Sequence, residues 1–205
     1  LYNVPITLIA GNNTHISKLD DLTGKKINMG APLSSQNLSF NTIFTVKNWS
    51  KKDFRLVAEI SDSHSQDTMA FCHGTIDAMI HIGVHPDSSL QQLYKLCKAR
   101  TIDMNDDDII KLINHHPAFS KFTILSGTYS SQKRDIATFG TQTLMVTSQD
   151  LDKETVYTIL DTMHKNSERL SNSHPAMTLK IPDIIKMSRI GIKLHPGALK
   201  YFSDN

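Results

Sequence analysis

The stretch GAPLSSQNLSF, Gly30 to Phe40, follows the short strand-like run Lys26 to Met29 and leads into residues at helical spacing. A strand-to-helix corner built from Gly, Pro, Ser, Gln and Asn has two physical readings. Ser34 or Ser35 can cap the helix and nothing more. Alternatively, the first turn is an anion site, because a helix start leaves backbone N–H donors unpaired. Spacing alone does not choose between them.

Outward from this corner the chain alternates. Strand-like runs occur at Pro5–Ala10 (PITLIA), Asp53–Ile60 (DFRLVAEI), Ile76–Gly83 (IDAMIHIG) and Thr101–Met104. Between them lie helical patterns over Ser35–Val46, Asp87–Lys98 and Asp106–Asn114. Leu90, Leu93 and Leu96 are expected on one face of the second, and Pro117 ends the third. A further helix, capped by Asp62 or Ser63, is expected to stop at Gly74. Strand and helix alternating at short intervals predict an α/β layer with a mostly parallel sheet. After Phe122 the rhythm changes to two extended segments, FTILSGTYSS and IATFGTQTLMVTS. A long amphipathic helix follows over Leu151–Leu170, with a stripe of Val156, Ile159, Leu160 and Met163. A helix is expected around Pro182–Met187, and His195 caps the last one, with Pro196 in its first turn.

Composition narrows the functional classes. With 22 basic and 20 acidic residues the net charge is +2, and no run of five like charges occurs, so a nucleic-acid or membrane-surface role lacks its usual basic stripe. No apolar stretch approaches the roughly 18–20 residues that span a bilayer. Cys72 and Cys97 lack CxxC spacing and read as buried free thiols, since a disulfide needs an oxidising compartment.

The candidate site residues cluster where strands end. Ser34, Ser35, Gln36 and Asn37 sit at a helix start on the carboxyl edge of the sheet, where open α/β sheets bind ligands. Alternation along Ile76–Gly83 puts Met79, His81 and Gly83 on one face, opposite Ile80 and Ile82. Near the strand's end, His81 and Gly83 would face the cleft, or His81 would simply be hydrogen-bonded within the fold. Tyr129 in GTYSS either closes over a ligand or packs with its hydroxyl satisfied. The histidine pairs His64/His73, His81/His85 and His115/His116 lack the Cys or carboxylate that would complete a tetrahedral metal set, so no metal or other cofactor is expected. No Gly-x-Ser-x-Gly corner and no carboxylate pair points to catalysis.

In this order, LYNVPITLIA, LDDLTGKKINMG, GTIDAMIHIGVHP, GTYSSQ and LHPGALKYF resemble the solute-binding receptors of TAXI-type TRAP transporters. The resemblance covers nearly the whole chain. It implies a periplasmic-binding-protein-like (type II) bilobed fold: residues 1–11 a crossover strand of the first lobe, 12–121 the ligand-binding second lobe, and 122–205 the return crossover and C-terminal part of the first lobe. It also implies a periplasmic receptor that hands a small carboxylate or amino acid, such as glutamate, to a membrane permease. The N-terminal part of the first lobe and a signal peptide would then lie outside these residues, and self-association of the exposed remainder is expected. The family pattern at the corner is Gly-x-Pro-Gly-Ser-Gly-Thr. Gly30, Pro32 and Ser34 agree with it, whereas Leu33, Ser35 and Gln36 replace Gly, Gly and Thr, which alters the pocket's shape. That departure keeps a rival reading open, a degenerate lobe that serves as a surface antigen or signalling protein. An enzyme on the same fold is a third.

Overall fold

The computed structural model describes residues 2–60, 69–177 and 193–205. The helix expected from Asp62 or Ser63 begins outside these residues, although residues 69–72 are helical and Gly74 follows at φ 69°. The helix expected around Pro182–Met187 also lies outside them.

Among the described residues seven strands form one sheet: β1 (Tyr2–Ala10), β2 (Lys26–Asn28), β3 (Leu56–Ala58), β4 (Ala78–Ile82), β5 (Arg100–Ile102), β6 (Ser120–Ile124) and β7 (Ile136–Thr143). Their order is β3-β2-β4-β1-β7-β6, with β5 paired to the end of β1. The fold class is α/β, as expected, but the sheet is mixed rather than mostly parallel. β2 runs parallel to β3 and β4, while β1 is antiparallel to β4 and β5. The chain returns through helices between the parallel strands, and β1 enters against them.

Two compact units are formed, Val4–Thr141 and Leu1–Asn3 with Gln142–Asn205. In the first, α1 (Ser35–Lys47), α2 (Ser88–Cys97) and α3 (Asp107–His115) cover the sheet. Phe40, Ile43 and Phe44 of α1 and Ile109 and Leu112 of α3 pack on Leu8, Ile27 and Ile80. Leu90, Leu93 and Tyr94 of α2 pack with Ile9, Ile124 and Tyr129 in a second cluster. Leu96, expected beside Leu90 and Leu93, is 68% exposed. At 100° per residue it lies about 120° around the helix from Leu90, and Tyr94 takes the inward place. Lys47 closes α1: its side chain is 7% exposed, with Nζ 2.5 Å from Asp20, 3.4 Å from Asp106 and 3.2 Å from Asp108.

Ile6 and Leu8 belong to the α1 cluster because β1 is a central strand. The expected long helix is two, α4 (Lys153–Lys165) and α5 (Ser167–Ser173). Asn166 ends the first at ψ 19°, with its side chain bonded to the Thr162 carbonyl, a local alternative to continuing the helix. Of the expected stripe only Val156 is buried, and Ile159 is 39% exposed. Val156 packs near the last helix, α6 (Pro196–Asp204), capped by His195 with Pro196 in the first turn as expected. At Gly197 a Cβ would fall 2.3 Å from the Lys153 carbonyl oxygen, so glycine permits the close approach of α6 to α4.

The cysteines are not free thiols. Cys72 and Cys97 form a disulfide that ties the end of helical residues 69–72 to the last residue of α2. The unreduced protein is therefore expected to be lighter than the reduced one by the mass of two hydrogens, and Cys72→Ser to lower stability by about 3 kcal/mol for a loop of this length. Equal masses before and after reduction would contradict the pairing.

Candidate functional site

The corner at Gly30 is set by the residues around it. Asn28, 1% exposed, accepts at Oδ1 from the N–H groups of Gly30 (3.0 Å) and Ile60 (3.2 Å), fastening the ends of β2 and β3 together. Gly30 has φ 78°, and a Cβ there would fall 2.5 Å from Oε1 of Gln36. The Ser34 N–H donates to the Ala31 carbonyl at 3.0 Å, with Pro32 second and Leu33 third in the turn at φ 66°. This is a type II turn, whose third position favours glycine. A leucine there costs about 1–2 kcal/mol, and its side chain is 84% exposed.

Ser34 is the N-cap of α1. Its Oγ accepts from the Asn37 N–H at 3.1 Å, and its carbonyl accepts from Leu38 at 2.9 Å. Among the described residues the N–H groups of Ser35 and Gln36 donate to nothing, and no acidic residue occupies the first turn. Gln36 is 3% exposed, its Nε2 lies a long 3.5 Å from the Asn28 carbonyl, and its buried Oε1 accepts no hydrogen bond among the described residues. Asn37 is buried, accepts from Asn41 Nδ2 at 3.0 Å, and hydrogen-bonds Glu59, whose carboxylate pairs with Lys51 at 2.7 Å. One hydroxyl thus caps the helix, and two donors remain.

The second group gathers at the end of β4. Thr7 pairs with His81 across the antiparallel ladder. A Cβ on Gly83 would fall 2.8 Å from His81 Nε2, so glycine admits the imidazole, which lies 3.9 Å from the Asp87 carboxylate. Burial opposes ionisation of Asp87, but bonds from Ser89 and the Leu90 N–H outweigh it and hold the carboxyl below its usual range. His85 Nε2 lies 2.8 Å from Thr7 Oγ1 and Nδ1 lies 2.5 Å from the Tyr129 hydroxyl. That hydroxyl accepts from the Asp87 N–H at 3.0 Å, leaving its own proton for His85. Burial, with His81 adding to it, pushes His85 down to about 4, so the ring is neutral and Nε2–H donates to Thr7.

Ser34, Ser35, Gln36 and Asn37 therefore stand together, as do His81, Gly83 and Tyr129, and both groups lie at the carboxyl edge of β2 and β4, where Asn28 pairs with Met79. They lie on opposite faces of the sheet: α1 packs with Ile80, whereas Met79 and Tyr129 belong to the α2 cluster. No described contact joins them. Tyr129 is 1% exposed and its hydroxyl is fully engaged, so it packs in the core and does not overhang a cleft. Asn28 escaped the sequence reading, and His85 was weighed only as a metal ligand beside His81. Asn28, two residues before Gly30 at the end of a strand, was a usable signal, since an Asn side chain can bond the backbone two residues on. His85 carried none, because its partners lie 78 and 44 residues away. Among the described residues no group of three or more His, Cys, Asp or Glu side chains is placed to hold a metal ion.

The NMT1-like family matches residues 1–205, the whole chain. The chain belongs to the NMT1-like family. No curated protein is detectably similar to it. Among solved structures it is similar to the periplasmic aliphatic sulphonate binding protein of Escherichia coli, at 13% identity and a TM-score of 0.46 over 99% of this chain and 55% of that one. It is also similar to a periplasmic sulfonate-binding protein of Methylobacillus flagellatus KT, at 14% identity and a TM-score of 0.45 over 81% of this chain and 42% of that one. An L-cystine ABC transporter of Listeria monocytogenes gives 14% identity and a TM-score of 0.45 over 86% of this chain and 60% of that one. The NMT1-like chain thus spans between 42% and 60% of the lengths of these proteins.

Two outcomes follow from the site's geometry. Leu33→Gly relieves the left-handed strain and is expected to raise stability by up to about 1 kcal/mol, part of the relief being offset by unfolded-chain entropy. Denaturant unfolding checks this, and a loss of stability would contradict the turn assignment. For His85, the folded pKa of about 4 lies below its ordinary 6.5. The unfolded chain binds the extra proton between those values, so this contribution is complete above pH 6.5 and is lost as pH falls towards 4. The loss is expected to reach at most about 3 kcal/mol, and His85→Gln should flatten that part of the stability profile. An unchanged profile in the variant would contradict a buried neutral His85.

Proposed function

We propose that this NMT1-like chain is the ligand-binding part of an extracytoplasmic solute receptor, which takes a small polar or anionic solute and presents it to a membrane permease without bond-making chemistry. The observation that carries this reading is the start of α1. The backbone N–H groups of Ser35 and Gln36 remain unused just beyond the end of β2, and helix N-termini favour carboxylates. Glu59, which hydrogen-bonds Asn37, is already paired with Lys51, so the choice of an amino acid such as glutamate rests on the sequence resemblance.

In this reading the fold is periplasmic-binding-protein-like of type II, with the ligand-binding lobe centred on residues 12–121 and residues 122–205 leading back into the other lobe. His81 and Gly83 line the same edge from its other face. The TRAP-type permease rests on the five collinear stretches of the sequence, while the E. coli and M. flagellatus structures are sulfonate-binding proteins and the L. monocytogenes one is an ABC transporter. The Cys72–Cys97 disulfide supports an oxidising, extracytoplasmic compartment. Among the described residues no helix is long and apolar enough to cross a membrane. The second reading, a degenerate lobe serving as a surface antigen or signalling protein, is favoured by Leu33, an exposed leucine where the turn asks for glycine.

A thermal-shift screen with amino acids and dicarboxylates tests the reading. Saturable stabilisation is expected; none would favour the degenerate lobe, and turnover of a compound an enzyme. Ser35 is exposed at the first position of α1, so Ser35→Asp puts a charge beside the donors without disturbing the core. Repulsion at about 4 Å runs from roughly 1 to about 4 kcal/mol, or about fivefold to a thousandfold in affinity. Calorimetric titration with the acid that the screen selects should show that loss. Unchanged affinity in a folded variant would reduce the corner to a helix cap.

A further inference from the structure

The opposite edge of the sheet carries a pocket that the proposed receptor function does not use. Ala10, at the end of β1, pairs with Ala78, the first residue of β4, and with Arg100, the first of β5. Arg100 therefore sits at the amino edge of β4, away from Gly30 and His81. There a pocket of about 400 Å³ opens between the Ile16–Ser17 segment, β5 and the loop between β6 and β7. That volume is within the usual range for small-molecule sites.

Its walls are of two kinds. Ile16, Ile102 and Ile136, each at most 3% exposed, and the ring of Tyr94 give it an apolar floor. Arg100, Lys133 and Arg134 supply cations, and no carboxylate belongs to the lining. Arg134 is already neutralised by Asp103 at 2.6 Å. Arg100 and Lys133 make no ion pair among the described residues. One Nη of Arg100 donates to the Ile16 carbonyl at 2.7 Å, which aims the guanidinium, and Lys133 Nζ donates to the Ser130 carbonyl at 3.2 Å. A guanidinium has five N–H donors and an ammonium three, so most remain for an occupant.

We propose that this pocket binds an organic oxyanion, a compact apolar body with a phosphate, sulfonate or carboxylate head. The body lies on Ile16, Ile102 and Ile136, and the head bridges Arg100 and Lys133. An inorganic ion would use the two cations but leave the apolar floor uncovered. A neutral apolar molecule would use the floor and leave the cations unpaired.

Phenyl phosphate is the probe that separates these cases, titrated into the full chain and followed by backbone amide shifts. Saturable shifts are expected at Arg100, Thr101 and residues 131–134, with inorganic phosphate and phenol each weaker by about tenfold or more. Lys133→Gln alters an exposed side chain bonded only to a backbone carbonyl and is expected to weaken binding about threefold or more. Combined with Arg100→Gln the loss should exceed about tenfold. Ser35→Asp, at the other edge, should leave this titration unchanged. No saturable shift up to about 10 mM phenyl phosphate would overturn the proposal, as would equal binding of inorganic phosphate. Unaltered affinity in a folded Lys133→Gln protein would overturn the role of the cations.

Discussion

The structure depends on β1 being buried on both faces. Leu8 and Ile9 are neighbours, both 0% exposed, and alternation sends them to opposite sides of the sheet. Leu8 enters the cluster of Phe40, Ile27 and Ile80, and Ile9 enters that of Leu90, Ile124 and Tyr129. A slip of one residue would exchange the two faces and place Thr7 among the apolar side chains of α1. The register also aligns Thr7 with His81 and brings its hydroxyl to His85. One strand thus fixes both cores and the polar chain running from Thr7 through His85 to Tyr129.

α1 shows how such a frame leaves backbone donors unused. Phe40, Ile43 and Phe44 anchor its buried side. Lys47 anchors its far end to Asp20, Asp106 and Asp108, a cation where the helix dipole favours one. A lysine this deeply buried is tolerated because three carboxylates surround it, and removing them would strand the charge. With the buried side and the far end of the helix fixed by these contacts, the Ser34 hydroxyl suffices as cap. The N–H groups of Ser35 and Gln36 remain without an acceptor among the described residues.

What the sequence made legible was local. Helix starts at Ser34, Asp87, Asp106 and His195 were readable because capping residues and the apolar spacing behind them act within a few positions. Gly30 before Ala-Pro-Leu-Ser announced a turn, though not that Leu33 would carry its left-handed position. Features set by distant segments were not legible. β1 lies between β4 and β7, and nothing within PITLIA says which strands flank it. Cys72 and Cys97 looked like free thiols, since pairing depends on where residues 69–72 meet α2. Tyr129 looked like a cleft residue, and only the positions of His85 and Asp87 show its hydroxyl to be engaged. Alternation placed His81 and Gly83 on one face correctly, but could not show that α1 covers the other.

The central claim is that the first turn of α1 receives a solute's carboxylate. Backbone amide shifts of the labelled chain, recorded against the acid that stabilises it most, test this most directly. The account predicts that Ser35 and Gln36 show the largest saturable downfield shifts, as their N–H groups gain an acceptor, with smaller changes at Gly30 and Asn37. Saturable shifts confined to other parts of the chain, with Ser35 and Gln36 unmoved, would contradict it.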